Sequence, residues 1–208
     1  MTYEYQPKKI EKITECESRC QGKLLTLISV QVENEEYQMC EDYSHVCWST
    51  KKKGSDWNKG LINNEADPRR TERTGKLGEM AFGKVFGIPV DCSYRERGDE
   101  QDFILQDHKV NLKTASRNYY YGLVKAKEYG KVLEIKHDLF AFAFVKYDDR
   151  AAKSAEIILV GVELASKTSQ REMQPARLGR HLNYEVPFSE CITMIEVLRR
   201  YSRRESII

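Results

Sequence analysis

Four residues between positions 79 and 113 have the chemical types and the order needed to hold a divalent cation next to a phosphate group. Glu79 lies in the stretch GKLGEMAFGKVFG, Asp102 opens the apolar run DFIL, and Asn111 and Lys113 follow in KVNLKTAS. Carboxylate and amide oxygens are ligands that Mg²⁺ accepts. An ammonium group can orient a water molecule, stabilise charge on phosphate or, with a lowered pKa, act as a base. These residues predict hydrolysis of a phosphodiester bond.

The spacing of these residues suits one shared face of a β-sheet. Residues two apart in a strand face the same side, so Asn111 and Lys113 point one way while Leu112 points into a core. If this strand pairs with the strand that begins at Asp102, the aspartate reaches the same side, helped by a bend. A helix that packs on the sheet can bring the glutamate in. Asp99 is a second candidate for the metal-binding acid, but Asp102 leads directly into the apolar strand.

The pattern of apolar residues predicts the elements that must position this set. Helices are predicted over 70–86, opened near Asp67 and Pro68 and ended by Gly87, and over 189–201. Strands are predicted over 24–32, 101–105, 110–114, 139–147 and 155–164, with a turn at 107–108 and a loop over 51–60. The segment 119–129 fits either type of element. The order predicts a mixed α/β fold with a sheet of about four or five strands flanked by helices.

The first 67 residues differ from the rest, since they are polar and rich in cysteine. We treat 1–67 as an N-terminal extension, either separate from or integrated with a core over 68–208. Four of the six cysteines lie in this extension, namely Cys16, Cys20, Cys40 and Cys47, and the other two are Cys92 and Cys191. The first four, with His45, could bind zinc, form disulfides or remain free thiols.

The run from Glu79 through Asp102 to Asn111 and Lys113 resembles the PD-(D/E)-x-K nuclease superfamily, which includes restriction endonucleases and archaeal Holliday-junction resolvases. The apolar strands downstream, the YEVPF segment and the final helix are similar to the back half of that fold, so the likeness covers about residues 70–200. The resemblance implies a restriction-endonuclease-like fold with Mg²⁺ or Mn²⁺ held by Glu79, Asp102 and Asn111, and with Lys113 completing the catalytic set.

The resemblance also implies partners and carries one departure. DNA, including structured or branched DNA, is the implied substrate, and a homodimer is expected because such enzymes usually pair to cut both strands. The superfamily usually has Glu or Asp where this chain has Asn111. An amide oxygen is neutral, so weaker metal binding is expected. The alternative function is a catalytically silent nucleic-acid-binding domain of the same fold.

A polar and aromatic segment follows the lysine strand and is predicted to bind nucleic acid. It contains Ser116, Arg117, Asn118 and Tyr119. Arginine can grip phosphate in a fork, and aromatic rings can stack on exposed bases. Lys76, in the first predicted helix, is predicted to contact nucleic acid as well. A tyrosine-rich packing segment over the sheet is the other interpretation of this stretch.

Composition excludes several other classes of protein. The chain has 208 residues, a net charge of +2, 40% hydrophobic and 32% charged residues, which is typical of a globular protein. No stretch reaches the roughly 20 apolar residues that span a membrane, and no phosphate-binding loop of the form G-x-x-x-x-G-K-[ST] occurs. We expect an intracellular, cytoplasmic protein (in the host cell if it is viral) without a nucleotide cofactor. A zinc-stabilised interaction module over 16–47 is a third interpretation.

Overall fold

A computed structural model describes residues 4–10, 13–53, 69–93, 102–128, 131–176 and 181–207. This part of the chain forms a seven-stranded sheet, a four-stranded sheet, a two-stranded sheet and four helices. The predicted mixed α/β class is therefore confirmed, although the main sheet is larger than the four or five strands expected. The predicted helix start at Asp67 and Pro68, residues 54–60 of the predicted loop, and Asp99 lie outside the described residues. The predicted loop was wrong for residues 51–53, which continue a helix.

The strands are β1 (Glu4–Tyr5), β2 (Thr14–Cys20), β3 (Lys23–Glu33), β4 (Val90–Asp91), β5 (Phe103–Leu105), β6 (His108–Ala115), β7 (Tyr121–Glu128), β8 (Lys131–Val132), β9 (Leu139–Asp149), β10 (Ser154–Leu164), β11 (Met173–Pro175), β12 (His181–Pro187) and β13 (Ile192–Thr193). The helices are α1 (Asn34–Lys53), α2 (Arg70–Phe86), α3 (Ala165–Thr168) and α4 (Met194–Arg203), with a 3-10 turn at Phe188–Glu190.

The main sheet joins the N-terminal strands to the later part of the chain. Its order is β2-β3-β10-β9-β6-β5, with β13 also paired to β10. The pair β6–β9 is parallel, and the other pairs described in this sheet are antiparallel. The smaller sheet has the order β11-β12-β7-β8. Because β3 pairs with β10, the cysteine-bearing strand β2 and its neighbour extend the same sheet that holds the candidate chemistry.

Strand β9 lies between two hydrophobic cores because the side chains on both of its faces are apolar. The side chains on the two faces differ in size. Leu139, Ala141 and Ala143 belong to the core that includes α2. Phe140 and Phe142 belong to the core that includes β7 and β12. Small residues allow the helix to approach the sheet closely, and the phenylalanines fill the wider gap to the second sheet. A strand buried on both faces has the near-continuous apolar sequence seen here.

Helix α2 has the bounds that the sequence predicts. Its apolar residues recur at helical spacing and are buried, as at Leu77, Met80 and Ala81. Gly87 ends the helix in the left-handed region with φ +69°, and its N–H donates to the carbonyl of Gly83 at 2.8 Å. Glycine adopts this conformation without the steric cost that a Cβ would add. The carboxyl end of the helix is thus determined by local sequence.

The C-terminal helix begins later than predicted. Residues 189–201 were expected to be helical, but α4 begins at Met194 and β13 precedes it. A Cβ at Gly161 would lie only 2.2 Å from the carbonyl oxygen of Ile192. The glycine therefore lets β13 approach and pair with β10. Thr193 then caps the helix, since its Oγ1 accepts from Glu196 N–H at 3.4 Å.

Two further segments refine the predicted elements. The ambiguous stretch 119–129 contains strand β7. The predicted turn at 107–108 is displaced by one residue, because Gln106 and Asp107 have φ +49° and +67° while His108 already belongs to β6. In the described part of the chain, no helix is long and apolar enough to cross a membrane.

Candidate active site

Asp102 lies at the entrance of the β5–β6 hairpin and is tied to β6 by two hydrogen bonds. Its N–H donates to the carbonyl of Val110 at 3.0 Å. Its Oδ2 accepts from Leu112 N–H at 2.6 Å, which fixes the carboxylate against the strand. The predicted pairing of the two strands is confirmed. It places Asp102 beside the segment that carries Asn111 and Lys113.

Strand β6 turns Asn111 and Lys113 away from the core that contains α2. Leu112 packs into that core, as the alternation predicts. The register partners of Asn111 and Lys113 on β9 are Phe140 and Phe142, which belong to the other core. Asn111 is 8% exposed, and its Oδ1 has no hydrogen-bond partner among the described residues. Burial of an unpaired amide oxygen is costly, so this atom is a ready acceptor for a ligand.

The carboxylate and the ammonium group of this site both depart from their ordinary titration. Burial raises the pKa of Asp102, while the hydrogen bond from Leu112 N–H and the charge of Lys113 oppose that shift. Burial lowers the pKa of Lys113, and the nearby ammonium of Lys125 adds to this shift, whereas Asp102 and Glu79 oppose it. Buried titratable groups that perturb each other are typical of functional sites.

Glu79 lies on α2, on the side of β6 that Asn111 and Lys113 do not face, where Lys76 holds it; its charge acts to raise the pKa of Lys113. The Lys76 ammonium forms an ion pair with Glu79 Oε2, one helical turn away. It also donates to the carbonyl of Asp91 at 2.6 Å and lies 4.1 Å from the ring centre of Tyr43. Burial lowers the pKa of Lys76, but Glu79 and its other neighbours raise it more, so the pKa is above its ordinary value. Lys76 is therefore positively charged, and its ammonium group orients Glu79.

This placement changes the interpretation of Lys76. We predicted a contact with nucleic acid, but Lys76 is only 4% exposed and its ammonium is directed at groups inside the protein. The residue lies three positions before Glu79, and that helical spacing makes the two side chains neighbours. The geometry thus does not support a phosphate contact. The sequence could have signalled the pair through this i,i+3 spacing.

A close approach between α2 and β6 sets the position of the glutamate. A Cβ at Gly78 would lie 1.9 Å from Thr114 Oγ1, so only glycine fits between helix and strand. Gly78 directly precedes Glu79, and Thr114 directly follows Lys113. The contact therefore fixes the backbone of Glu79 relative to the backbone of Lys113. Thr114 Oγ1 is also buried without a hydrogen-bond partner among the described residues.

His137 is a member of the site that we did not predict. Its Nδ1 is buried without a partner in the described part of the chain, and its ring meets Phe140 edge-on with centroids 5.7 Å apart. Burial lowers the pKa of His137, Lys113 lowers it further, and Asp102 opposes the shift. It lies two residues before β9. That position beside the partner strand of β6 was the one available signal in the sequence.

The predicted nucleic-acid segment follows β6 directly and reaches the surface. Ser116 and Asn118 are half-buried, whereas Arg117 is exposed and Tyr119 is 37% exposed. The guanidinium carbon of Arg117 lies 4.8 Å from the ring centre of Tyr119. Asn118 Oδ1 accepts from Tyr120 N–H at 2.9 Å, so its side chain shapes the loop. Arg117 and Tyr119 therefore present the cation and the ring that the prediction requires.

The cysteines do not form disulfides, since all six are free. Cys20, Cys40 and Cys47 are buried, and burial raises the pKa of the Cys20 and Cys40 thiols. Among the described residues, no group of three or more His, Cys, Asp or Glu side chains is arranged to hold a metal ion. The predicted metal ligands Glu79 and Asp102 are therefore not part of such a group.

No protein-family model, curated protein or solved structure matches the chain. The chemistry of the site therefore has to be inferred from its own residues. It combines a fixed carboxylate at Asp102, an unpaired amide oxygen at Asn111, an ammonium group at Lys113 and an oriented glutamate at Glu79. Oxygen atoms of this kind suit a cation, and an ammonium group suits an anion.

Proposed function

We propose that this protein is a metal-dependent nuclease that hydrolyses phosphodiester bonds in DNA. The single observation that carries the proposal is the buried, unpaired Oδ1 of Asn111, on the strand that also carries Lys113 and that holds the Asp102 carboxylate through Leu112 N–H. A buried amide oxygen without a partner costs stability unless a ligand satisfies it. The restriction-endonuclease-like fold is part of the proposal, supported by the β5–β6 hairpin, the parallel strand β9 and helix α2.

The donor atoms at the site fit a hard divalent cation. Asp102 and Glu79 supply carboxylate oxygens and Asn111 an amide oxygen, which is the ligand chemistry of Mg²⁺ and Mn²⁺. The unpaired Asn111 Oδ1 is the observation of this structure that fits a cation, since a ligand would satisfy it. When bound, such an ion would neutralise phosphate charge and increase the acidity of a water molecule.

The residues of the chain have separate tasks in this proposal. The hydrogen bond from Leu112 N–H keeps the Asp102 carboxylate in one orientation. Lys113 lies where its ammonium can contact a phosphate and stabilise the negative charge that develops on it. Its lowered pKa also makes it a better proton acceptor than an exposed lysine. Lys76 holds Glu79 in place, so the glutamate needs little reorganisation when a substrate binds.

The proposal is tested by measuring cleavage with wild-type protein, Lys113→Ala and Asp102→Ala. Linear duplex, single-stranded, flap and four-way-junction DNA are incubated with Mg²⁺, Mn²⁺ or EDTA. We expect metal-dependent cutting that falls by about 100-fold or more in each variant, as for removal of one group that stabilises transition-state charge. Lys146→Ala is the matched control, because that lysine is 56% exposed and pairs with Glu156 elsewhere on the sheet.

Two results would count against this function. Cutting that survives in both variants would place the activity elsewhere or in a contaminant. Intact DNA binding without cutting on any substrate would favour the silent binding domain.

Replacing Asn111 by aspartate tests the metal ligands separately. The added charge should lower the Mn²⁺ concentration that gives half-maximal cutting, because a carboxylate attracts the cation more strongly than an amide does. Isothermal titration of Mn²⁺ gives a second readout that needs no activity. Asn34→Asp, at the start of α1, is the control for a general charge effect. Equal Mn²⁺ affinity in wild type and Asn111→Asp would remove Asn111 from the proposed ligands.

A further inference from the structure

Three consecutive tyrosines follow the strand that carries Lys113, and two of them are open to solvent. Tyr119 is 37% exposed and Tyr120 is 49% exposed. Tyr121 then begins β7. Aromatic rings that lie next to an exposed arginine are groups on which nucleic-acid bases can stack. We call residues 116–120 the tyrosine loop.

The backbone of the tyrosine loop is held in a conformation that a tyrosine rarely adopts. Tyr120 has φ +66°, in the left-handed region. Its N–H donates to Asn118 Oδ1 at 2.9 Å, and its carbonyl accepts from Phe188 N–H at 3.1 Å. These two bonds hold the residue from both sides. A strained residue that its surroundings hold in place, with an exposed side chain, is a feature of binding sites.

The loop is also fixed relative to Lys113. A Cβ at Gly122 would lie 2.1 Å from the ring of Phe142, so β7 lies directly against that ring. Phe142 is the register partner of Lys113 on β9. Phe188, which holds the Tyr120 carbonyl, packs on the same ring with centroids 6.1 Å apart. The exposed ring of Tyr120 is therefore attached to the framework that positions Lys113.

The chemistry of the loop fits an unpaired nucleotide. Arg117 is exposed and can bind a phosphate through its planar fork. The Tyr120 side chain is 49% exposed, so a base can reach its ring. Bases in a duplex are already stacked on both faces. A protein aromatic ring therefore stacks best on a base that is unpaired.

We propose that the tyrosine loop binds single-stranded DNA, with one base stacked on Tyr120 and a neighbouring phosphate held by Arg117. This inference rests on the proposed function, since it makes unpaired DNA the substrate class of the same site. It assigns Tyr120 the role of selecting single-stranded over paired DNA. Arg117 contributes to both kinds of DNA, because it contacts phosphate.

The inference is tested by binding in EDTA, where no cutting occurs. Fluorescein-labelled oligothymidine, alone or paired with oligodeoxyadenosine, is titrated with wild type, Tyr120→Ala and Tyr120→Phe. We expect Tyr120→Ala to bind the single strand about tenfold more weakly, as for loss of one stacked base, with duplex affinity unchanged. Tyr120→Phe should retain the affinity because stacking needs only the ring.

Tyr147→Ala is the matched control, since Tyr147 is 41% exposed and bonds to Gln31 elsewhere on the sheet. Arg117→Ala should flatten the salt dependence for both DNA forms by about one phosphate contact. Equal loss on single strand and duplex in Tyr120→Ala, or no loss at all, overturns the inference. Binding that depends on Tyr120 without cutting by the wild type would refute the nuclease while supporting single-strand binding.

Discussion

Two of the places where the described residues bury polar groups differ in how fully those groups are paired. The first is the Arg73 cluster, where α1, α2 and β9 meet. Arg73 is 3% exposed and pairs with Glu41 at 2.9 Å and with Asp148 at 2.8 Å. Tyr37 donates its hydroxyl hydrogen to the second oxygen of Asp148 at 2.5 Å. Burial in this cluster is compensated by direct contacts, and the cluster joins the three elements.

The candidate active site is the second place, and some of its buried polar atoms lack such contacts. Asn111 Oδ1 and His137 Nδ1 have no partner among the described residues. Lys113 retains a lowered pKa despite the nearby Asp102. The comparison shows that this fold can satisfy a buried charge fully. Buried polar atoms that lack a partner are a feature that functional sites often share.

The largest expected effect separates the two places by stability. Arg73→Met should lower the free energy of unfolding by about 3 kcal/mol, because it leaves two carboxylates without their shared cation. Lys113→Met should change it by about 1 kcal/mol or less, since removal of a buried amine offsets the lost attraction. Urea denaturation followed by circular dichroism measures both. Equal destabilisation would mean that Lys113 is structural, and the distinction would fail.

A smaller effect tests the helix that serves both places, since α2 carries Arg73 and Glu79. Gly78→Ala should destabilise the protein by about 2 kcal/mol, because the new Cβ collides with Thr114 and moves the helix off β6. Gly75→Ala is the matched control. It has open space around its Cβ position and should stabilise by about 0.5 kcal/mol through helix propensity. Thermal unfolding of the two variants should therefore shift in opposite directions, and a shared sign would contradict the packing argument.

The smallest effect concerns a third cluster, which belongs with Arg73 because its groups are paired. Burial raises the pKa of Glu163, but hydrogen bonds from Arg171, Lys167 and Thr168 hold it below the ordinary glutamate value. A lowered pKa in the folded state gives stability that is present at neutral pH and is lost as the pH falls through that value. In Glu163→Gln, stability should therefore fall less steeply as the pH is lowered below neutral.

Unfolding midpoints measured from neutral pH downward test this expectation. Glu134→Gln serves as the control, because Glu134 is exposed. If the midpoints of Glu163→Gln fall with decreasing pH as steeply as those of the wild type, Glu163 is not responsible for the loss of stability in acid.

Sequence patterns predicted the elements whose structure is determined locally. Helix α2 matched because apolar spacing and Gly87 act within the segment itself. The start of α4 was wrong because β13 depends on Gly161, a residue distant in sequence. Strand β7 was ambiguous because its inward residues are small, as at Gly122 and Ala126, while Leu123 is 45% exposed. That order inverts the usual relation between size and burial.

The same distinction between local and distant determinants applies to the residues of the candidate site. The hairpin that joins Asp102 to β6 could be predicted, because alternation and the short turn are local. Spacing alone indicates the pairing of Lys76 with Glu79, but the burial of Lys76 and the position of His137 depend on Asp91 and on the packing of β9 on β6. Burial of a charge depends on tertiary contacts. Residue type and spacing alone do not report it.

The parallel pairing of β6 with β9 affects the order in which the chain can assemble. Strands β9 and β10 are joined by a short turn at 150–153 and can pair by zipping outward from it. A parallel pair cannot be closed by a tight turn. Residues 116–138, which include β7 and β8, must first loop out to let Lys113 meet Phe142. Pairing β6 with β9 therefore costs more loop-closure entropy than forming the β9–β10 hairpin. This cost favours formation of the β6–β9 pair, which carries the candidate site, late in folding.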